Sequence, residues 1–432
     1  MRDLRTAISV IENTLKENGV NKASYKVTET DKHEFNMAGG EFTLLRTTFE
    51  SDANVCVFLG EKSGTASGND FTDEGLKNTV MSAISSAESA EPDKDKDIAP
   101  NEGCDNMKAG ALEPDENAFF ARIRELQDTI TKEYPTLKIG ELIGTYSRRH
   151  NVYINTNGTE FETTIGDYEV FLSAAASDGE RTTGSTYMSV LTDNLDKPII
   201  EYDAMRDRLN ITRDMLNVVP VEGKFTGSVI LSPYVALYFA DALVGNYCSD
   251  VTLIDNTSLW KDKLGQKVAD ERITLTMDET DPEIVDKDFF TSEGFRYKPL
   301  TIIENGVLKN FNINLYTANK TGRIPSHNCG MAYVMKNGEV SYKDMIKNVK
   351  KGILLGWLSG GEPSANGEFS GVAKSSFLIE DGKISGAVGE VMISGNLETM
   401  FNNVSAISKE TITDGMTKFP YVTVEGITIT GK

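Results

Sequence analysis

The residues that could give this sequence a hydrolytic or metal-binding site are few. The 432-residue chain has three histidines, His33, His150 and His327, and four cysteines. His327 and Cys329 stand two residues apart in a Ser-His-Asn-Cys-Gly segment. A zinc site normally uses three or four ligands, and no second cluster of ligands stands near this pair. The sequence therefore favours a loop histidine and a buried cysteine over a metal site here.

Other catalytic motifs are incomplete. His33 is followed by Glu34, but Met37 and Ala38 stand where a second histidine of a helical zinc motif would be needed. The glycine-flanked segment 60–64 lacks the Gly-Lys-Ser/Thr core of a phosphate-binding loop, and the chain has no Gly-x-Ser-x-Gly nucleophile elbow. These motifs give no support for nucleotide binding or for serine hydrolase chemistry.

A further helix is predicted directly after a short strand. The strand is predicted over Ser228–Leu231, and Ser232-Pro233 then supplies a helix cap and a first-turn proline. The helix is predicted to continue from Tyr234 to Tyr247. Its position after a strand would place any functional side chain on a rigid element.

The remaining elements predict an α+β fold, with N-terminal helix-plus-strand units followed by a β-rich C-terminal domain. Helices are predicted at 3–18, 72–87, 117–134 and 203–216, because apolar residues recur there at helical spacing. The first two units repeat the order of a helix and then strands. An internal duplication and two ordinary α+β units explain this repeat equally well. The predicted divisions are an N-terminal unit over 1–90, an acidic linker or loop over 91–112, a middle unit over 113–220 and the C-terminal domain over 221–432.

The stretch 356–397 predicts short strands separated by turns. Asn366-Gly367 and Asp381-Gly382 are strong hairpin signals, because such turns need positive φ at both central positions. Residues 377–379 form a short apolar run, and Val391 and Ile393 follow with the two-residue period of a strand.

Three segments of this stretch resemble the TldD/PmbA family, whose PmbA branch is also called TldE. They are Gly-Glu-Phe-Ser-Gly at 367–371, Leu-Ile-Glu-Asp-Gly-Lys-Ile at 378–384 and Ile-Ser-Gly-Asn-Leu at 393–397. The three occur in the family's order, and the likeness extends over nearly the whole chain. One departure is Ser292, which stands where the family has the Asp of an Asp-Glu-Gly motif.

The resemblance implies a zinc peptidase family, in which active members bind zinc through His-Glu-x-x-x-His and a C-terminal cysteine. Here Ala240 and Gly245 stand at the histidine positions, Asp241 at the glutamate position, and Met416 near the cysteine position. All three metal ligands are therefore missing. Asp241 is interpreted as a solvated or hydrogen-bonded carboxylate, with a shortened catalytic base as the less favoured reading.

The resemblance further implies a non-catalytic, TldE-like subunit that binds no metal itself. Its partner would be a TldD-type metallopeptidase subunit that carries zinc, and together they would process unfolded peptides. Two alternatives remain: a stand-alone metallopeptidase or hydrolase that uses His327, Cys329 and Asp241, and a protein-binding regulator of the gyrase-modulator type. A homodimer of the isolated chain is also left open.

A peptide could be held by adding a strand to a sheet edge, because main-chain hydrogen bonds accept most sequences. The predicted substrate-channel residues are the glycines and polar residues of one segment: Gly361, Ser364, Asn366, Gly367, Ser370 and Gly371. Glycines that only form turns explain the same pattern equally well. Trp357 is a candidate anchor for a partner interface, and a core position is the alternative reading.

Charge and composition limit the partners. The formal net charge of −21 opposes direct contact with nucleic acid, since phosphates attract clusters of Lys and Arg. No run of 18 apolar residues occurs, and residues 1–19 lack the apolar core of a signal peptide. With no closely spaced cysteines, the thiols are expected to be free and mostly buried. The sequence therefore predicts a cytoplasmic protein with no membrane partner.

We expect the purified chain to carry no stoichiometric zinc, because Ala240, Gly245 and Met416 replace the metal ligands. Elemental analysis of the protein, alone and with a TldD-type partner, measures this. About one zinc per chain, lost in His327→Ala, would contradict the prediction and favour the stand-alone hydrolase.

Overall fold

The computed structural model describes residues 3–328, 330 and 332–432. Within these residues the helices alternate with two extensive β-sheets. The α-helices are α1 (Leu4–Glu17), α2 (Asp73–Ser89), α3 (Glu116–Glu133), α4 (Asp203–Asp214), α5 (Pro233–Cys248), α6 (Asp250–Ile254), α7 (Leu315–Thr321), α8 (Tyr342–Asn348) and α9 (Leu397–Asn402).

The strands divide between an N-terminal and a C-terminal sheet. The N-terminal strands are β1 (Lys22–Ala38), β2 (Glu41–Leu59), β3 (Lys62–Gly68), β4 (Cys104–Gly110), β5 (Leu137–Asn155), β6 (Glu160–Ala176) and β7 (Thr186–Thr192). The C-terminal strands are β8 (Val218–Val219), β9 (Lys224–Leu231), β10 (Leu275–Met277), β11 (Leu300–Glu304), β12 (Val307–Leu308), β13 (Tyr333–Met335), β14 (Lys351–Leu355), β15 (Trp357–Ser359), β16 (Glu368–Lys374), β17 (Phe377–Glu380), β18 (Lys383–Val388), β19 (Val391–Asn396), β20 (Val404–Thr413) and β21 (Lys418–Thr430).

This architecture confirms the predicted α+β fold, with helix-plus-strand units followed by a strand-rich C-terminal region. In the N-terminal sheet the order is β3-β2-β1-β5-β6-β4, and β7 pairs with β6. The central pair, β1 and β5, is antiparallel, so the hairpins of the first and middle units join edge to edge. The repeated units therefore share one sheet.

The helices that cover this sheet begin where the sequence predicts. The Asp3 side chain accepts a hydrogen bond from the Thr6 amide at the start of α1, and Thr72 caps α2 through the Gly75 amide. The apolar faces of α1 and α2 pack with β1 and β2 in one core. A second core contains the apolar face of α3 together with β5, β6, β7 and α4.

Long strands run through several polar stretches of the N-terminal units. β1 and β2 pair along their length as one hairpin, although both contain charged residues in their middles. Cross-strand ion pairs satisfy the polar side chains there, such as Arg46 with Glu34 at 2.8 Å and Arg148 with Asp31 at 3.3 Å. Likewise, residues 104–110 of the predicted acidic linker or loop form β4, which is parallel to β6.

The C-terminal sheet contains 14 strands among the described residues, and β21 lies near its middle beside β9, β13, β19 and β20. Strand β9 leads directly into α5 and is flanked by β21 and β14. The predicted Asp381-Gly382 turn is confirmed by positive φ at both central residues. In the Asn366-Gly367 turn only Gly367 has a positive φ, so that turn is of another type.

The thiols differ in part from the prediction. Cys248 is buried, but Cys56 is half-buried and Cys104 is exposed, and all three are free. Cys329 lies outside the described residues. Across the part of the chain that the structure describes, helices long and apolar enough to cross a membrane are absent.

Gly64 belongs to β3, and α2 lies directly over it. A Cβ atom at this position would lie 2.1 Å from the Ala87 amide nitrogen and 2.4 Å from the Ala83 carbonyl oxygen. We therefore expect Gly64→Ala to lower the free energy of unfolding by about 1–3 kcal/mol, because the backbone of α2 would have to move. Denaturant titration measures the change.

The control is Gly245→Ala in α5, where an added Cβ meets nothing within 4 Å. This variant should raise the free energy of unfolding by about 0.5–1 kcal/mol, since glycine is a poor helix former. Equal stability of Gly64→Ala and the wild type would show that α2 does not press on β3.

Candidate functional site

The candidate site lies along α5, whose start is fixed by its sequence. The Ser232 hydroxyl accepts a hydrogen bond from the Val235 amide, and Pro233 occupies the first turn. Ser232 also donates to the Gly356 carbonyl at 3.1 Å, which ties the helix start to the neighbouring strands. The inward face of α5 joins the largest hydrophobic core of the protein. The opposite face of α5 is not part of this core, so its side chains are available to form a site.

The three sequence-predicted positions on α5 point in different directions. Ala240 has no exposed surface and belongs to the core. Asp241 and Gly245 are exposed on the other face of the helix. Position 240 therefore does not face solvent in this chain, whereas positions 241 and 245 do.

Asp241 interacts with the neighbouring strand β13. The buried Tyr333 hydroxyl donates a hydrogen bond to the Asp241 carboxylate. Desolvation by the surrounding side chains raises the pKa of Asp241, and the Tyr333 hydrogen bond opposes this by favouring the ionised form. A carboxylate held by a tyrosine agrees with the hydrogen-bonded role favoured by the sequence.

The residues at these positions do not fit a zinc ion. Alanine and glycine supply no donor atom, so Asp241 alone offers one. More broadly, groups of three His, Cys, Asp or Glu side chains that could hold a metal ion are absent among residues 3–328, 330 and 332–432. The donor chemistry on α5 therefore differs from that of a three-ligand catalytic zinc site.

The C-terminal turn that contains Met416 packs near the start of α5. Asp414 lines a small cavity with Pro233, Tyr234 and Leu237. The Asp414 carboxylate accepts hydrogen bonds from the Met416 and Thr417 amides at 2.9 and 2.8 Å. This turn is thus held by its own acidic residue.

The glycine-rich segment 361–371 lies against the C-terminal half of α5. The Asn246 side chain donates to the carbonyl oxygens of Pro363 and Ser364, at 3.3 and 3.0 Å. The structure thereby brings this segment close to Gly245, which precedes Asn246 on the helix. Of the predicted channel residues, Gly361, Ser364, Asn366 and Ser370 are exposed.

Other features of the segment are structural. Gly367 and Gly371 are buried, and a Cβ on Gly367 would lie 2.5 Å from the Tyr247 hydroxyl. The Ser364 hydroxyl donates to the Asn366 side chain at 2.6 Å, and the Ser364 amide donates to the Glu368 carbonyl at 2.9 Å. These contacts close a turn along the edge of β16. A role of the exposed residues in holding peptide stays a prediction.

His327 lies apart from these residues in its contacts. Its ring stacks on Phe295 with centroids 4.2 Å apart, and desolvation lowers its pKa. Its proposed companion Cys329 lies outside the described residues. No hydrogen bond or ion pair joins His327 to Asp241 among the described residues.

A carboxylate that the sequence analysis missed lies next to this loop. Glu279 is 7% exposed, and its Oε2 accepts a hydrogen bond from the Asn328 side chain at 3.2 Å. Desolvation, reinforced by the like charges of Asp278 and Asp288, raises the pKa of Glu279 to about 7. No sequence signal marked it, because an Asp-Glu pair before a turn is normally exposed.

Trp357 is 44% exposed at the start of β15. The alternative reading, a core tryptophan, is therefore wrong. An exposed tryptophan is compatible with the predicted interface role, which remains a prediction.

Comparison with known proteins agrees with this fold. Residues 223–431 match the family profile described as the PmbA/TldA metallopeptidase C-terminal domain. A metalloprotease of Methanocaldococcus jannaschii is 24% identical over 419 residues, which cover 90% of each chain. A Haemophilus influenzae protein described as a metalloprotease PmbA homolog is 23% identical, over 95% of this chain and 92% of that protein. A zinc metalloprotease TldD homolog of Saccharolobus solfataricus is 28% identical over about half of each chain.

Solved structures share the complete fold. The crystal structure of TldE from Thermococcus kodakarensis superposes with a TM-score of 0.85 and 22% identity, covering 98% of this chain and 100% of that chain. A Thermotoga maritima protein, described as a candidate modulator of a DNA gyrase, gives a TM-score of 0.83 and 20% identity, with 99% and 100% covered.

The raised pKa of Glu279 predicts a pH-dependent stability. Between the unfolded value near 4.5 and the folded value of about 7, only the folded state holds the proton. The free energy of unfolding should therefore fall as pH rises through this window, by about 1.4 kcal/mol for each unit of raised pKa. Glu279→Gln should remove this fall and be more stable than the wild type above pH 7. Denaturant titrations from pH 4.5 to 8 measure both profiles, and parallel profiles would contradict the prediction.

Proposed function

Because the chain belongs to the TldD/PmbA family of metallopeptidase-like proteins, we propose that it is a non-catalytic, TldE-like subunit. In this proposal the chain pairs with a TldD-type subunit that holds the zinc ion. The pair processes unfolded peptides, and this chain contributes structure and substrate contacts.

The observation that carries the proposal is that α5 keeps its structure but lacks the metal-binding histidines. The helix keeps its cap, its first-turn proline and its packing on the C-terminal sheet, yet both histidine positions on it, Ala240 and Gly245, have no donor atom. Without a metal, the exposed carboxylate of Asp241 has no activated water on which to act as a base. The preserved scaffold with a changed donor set supports a role in assembly rather than in bond cleavage.

The exposed residues of segment 361–371 support a peptide-facing role. Gly361, Ser364, Asn366 and Ser370 lie in a loop that α5 holds through Asn246. Their side chains are absent or small and polar, which suits contact with many peptide sequences. We infer that this loop forms part of the wall of a chamber shared with the TldD-type subunit.

A reconstituted pair tests this proposal. We expect the chain to form a stable complex with the TldD-type chain of its own organism and the complex to cleave an unfolded peptide. Asp241→Asn in this chain should leave kcat within about twofold, because the substitution removes a charge that is outside the cleavage chemistry. Removing a zinc ligand of the partner should abolish cleavage.

The matched control is Tyr333→Phe, which removes the hydrogen bond to Asp241 and keeps its carboxylate. It should also leave cleavage unchanged. A loss of about 100-fold or more in Asp241→Asn alone would assign general acid–base chemistry to this chain and contradict the proposal. Failure of the two chains to associate would contradict the proposed subunit role.

A further inference from the structure

A large cavity lies where the N-terminal sheet meets the C-terminal region, away from Asp241 and Gly245. Its volume is about 820 Å³, and residues of β6, β7, α4, α5, β15 and β16 line it. Much of the wall is apolar and comes from Phe171, Tyr187, Met215, Trp357 and Val388. The cavity therefore offers a largely apolar binding site in a strongly acidic protein.

The guanidinium of Arg208 lies in the wall of this cavity and is unusual in its surroundings. The Arg208 side chain, on α4, is only 5% exposed. No carboxylate among the described residues lies within ion-pair distance of it, although most other arginines of the chain have such a partner. Its Nε has no hydrogen-bond partner in the described part of the chain. A buried charge with an incomplete set of partners is costly, so this position calls for a compensating ligand.

The neighbouring groups hold Arg208 in place but give it no direct ion pair among the described residues, and the half-buried carboxylate of Asp207 on the same helix attracts its charge only from beyond ion-pair distance. Its guanidinium stacks on the Tyr234 ring, 3.7 Å from the centroid. Its Nη1 donates a long hydrogen bond, 3.4 Å, to the Gly356 carbonyl oxygen. The contacts fix the plane of the guanidinium, and a planar fork of N–H donors is the arrangement that binds a carboxylate well.

The other charges in the cavity limit the charge of the ligand. Lys374 adds one cation to the lining, whereas Asp414 and Glu390 add two anions. Glu390 is paired with Lys432 at 2.8 Å, and Asp414 accepts the amide hydrogen bonds of its own turn. A monoanion finds one free buried cation here, but a phosphate dianion would meet two acidic side chains. A carboxylate is therefore favoured over a phosphate.

We propose that this cavity binds the α-carboxylate of a peptide C-terminus at Arg208, with an apolar terminal side chain against the Trp357 and Phe171 wall. The cavity is larger than one side chain requires, so it can hold the last two or three residues of an extended peptide. This inference rests on the proposed role in peptide processing. It adds that this chain binds the free C-terminal end of the peptide substrate.

Direct binding measurements with the full chain test the inference. The probe is an N-terminally fluorescein-labelled Gly-Ser-Gly-Ser-Ala-Leu peptide with a free C-terminus, and its matched control is the C-terminal amide. Fluorescence anisotropy should show on the order of tenfold tighter binding of the acid, because a charge-assisted hydrogen bond is lost in the amide. This comparison uses the unaltered protein and does not depend on how a variant folds.

Substitutions then locate the carboxylate. Arg208→Gln should remove the preference for the acid, and Asp414→Asn should strengthen acid binding a few-fold, by about twofold to fivefold, because it removes a nearby negative charge. The matched control is Arg206→Gln on the same helix, since Arg206 is paired with Glu133 at 3.1 Å and is outside the cavity. Arg206→Gln should bind both peptides as the wild type does.

Two further control ligands test whether a carboxylate that is not a peptide C-terminus can bind in the same way. An amidated peptide with an internal glutamate, or phenylpropionate alone, should bind much more weakly than the free acid. Equal binding of any of these, equal binding of acid and amide, or no binding at about 1 mM peptide would overturn the inference. If the reconstituted pair assembles and cleaves peptide while these tests fail, only the C-terminus site is wrong. If the pair fails and acid binding persists, only the subunit role is wrong.

Discussion

The packing of α5 on the C-terminal sheet is the constraint on which the rest of the site depends. The helix follows β9 without a long loop, so its apolar face has to bury against the strands beside β9. The packing leaves Ala240 without exposed surface and sends Asp241 and Gly245 to the other side. The same rigid placement lets Asn246 hold segment 361–371. A change of donor atoms on such a helix alters chemistry without altering the scaffold.

A second constraint is the joining of the two sheets. The Leu191 amide at the end of β7 donates to the Asp414 carbonyl at 2.7 Å, and the Tyr153 hydroxyl on β5 donates to the Glu293 carbonyl at 2.6 Å. The cavity beside Arg208 lies at this junction, since residues of β6 and β7 line it together with residues of α5, β15 and β16. Ligand cavities often lie at such junctions.

The donor set of α5 and the cavity at the sheet junction concern two different functions of a peptidase, bond cleavage and substrate retention. Metal-dependent bond cleavage needs an activated water, and Ala240 and Gly245 on α5 offer no ligand for the metal that would activate it. In the role proposed above, substrate retention needs only hydrogen bonds and apolar contacts, which the exposed polar residues of segment 361–371 and the apolar cavity wall would supply. Such a subunit would raise the concentration of peptide near a partner's metal without performing a chemical step.

The sequence alone predicted those features that depend on interactions between residues close together in the chain. Local signals, such as the Ser232-Pro233 start of α5, the Thr72 cap of α2 and the Asp381-Gly382 turn, predicted their elements because neighbouring residues decide them. The missing donors at 240 and 245 could also be read from the sequence, since an absent side chain needs no coordinates.

Only the tertiary structure decided the features that depend on residues distant in sequence: the extent of the strands and the burial of particular side chains. The polar middle of β1 lies between β2 and β5, and Arg148, 117 residues further along the chain, pairs with Asp31 there. Gly367 and Gly371 are buried, although their pattern also suited an open channel. Arg208 is one of several arginines in a polar helix, and only the folding of the Tyr234 ring and the Gly356 carbonyl around it makes it a buried cation. Desolvation, which raises the pKa of Glu279, is a property of the assembled core and has no signature in the sequence.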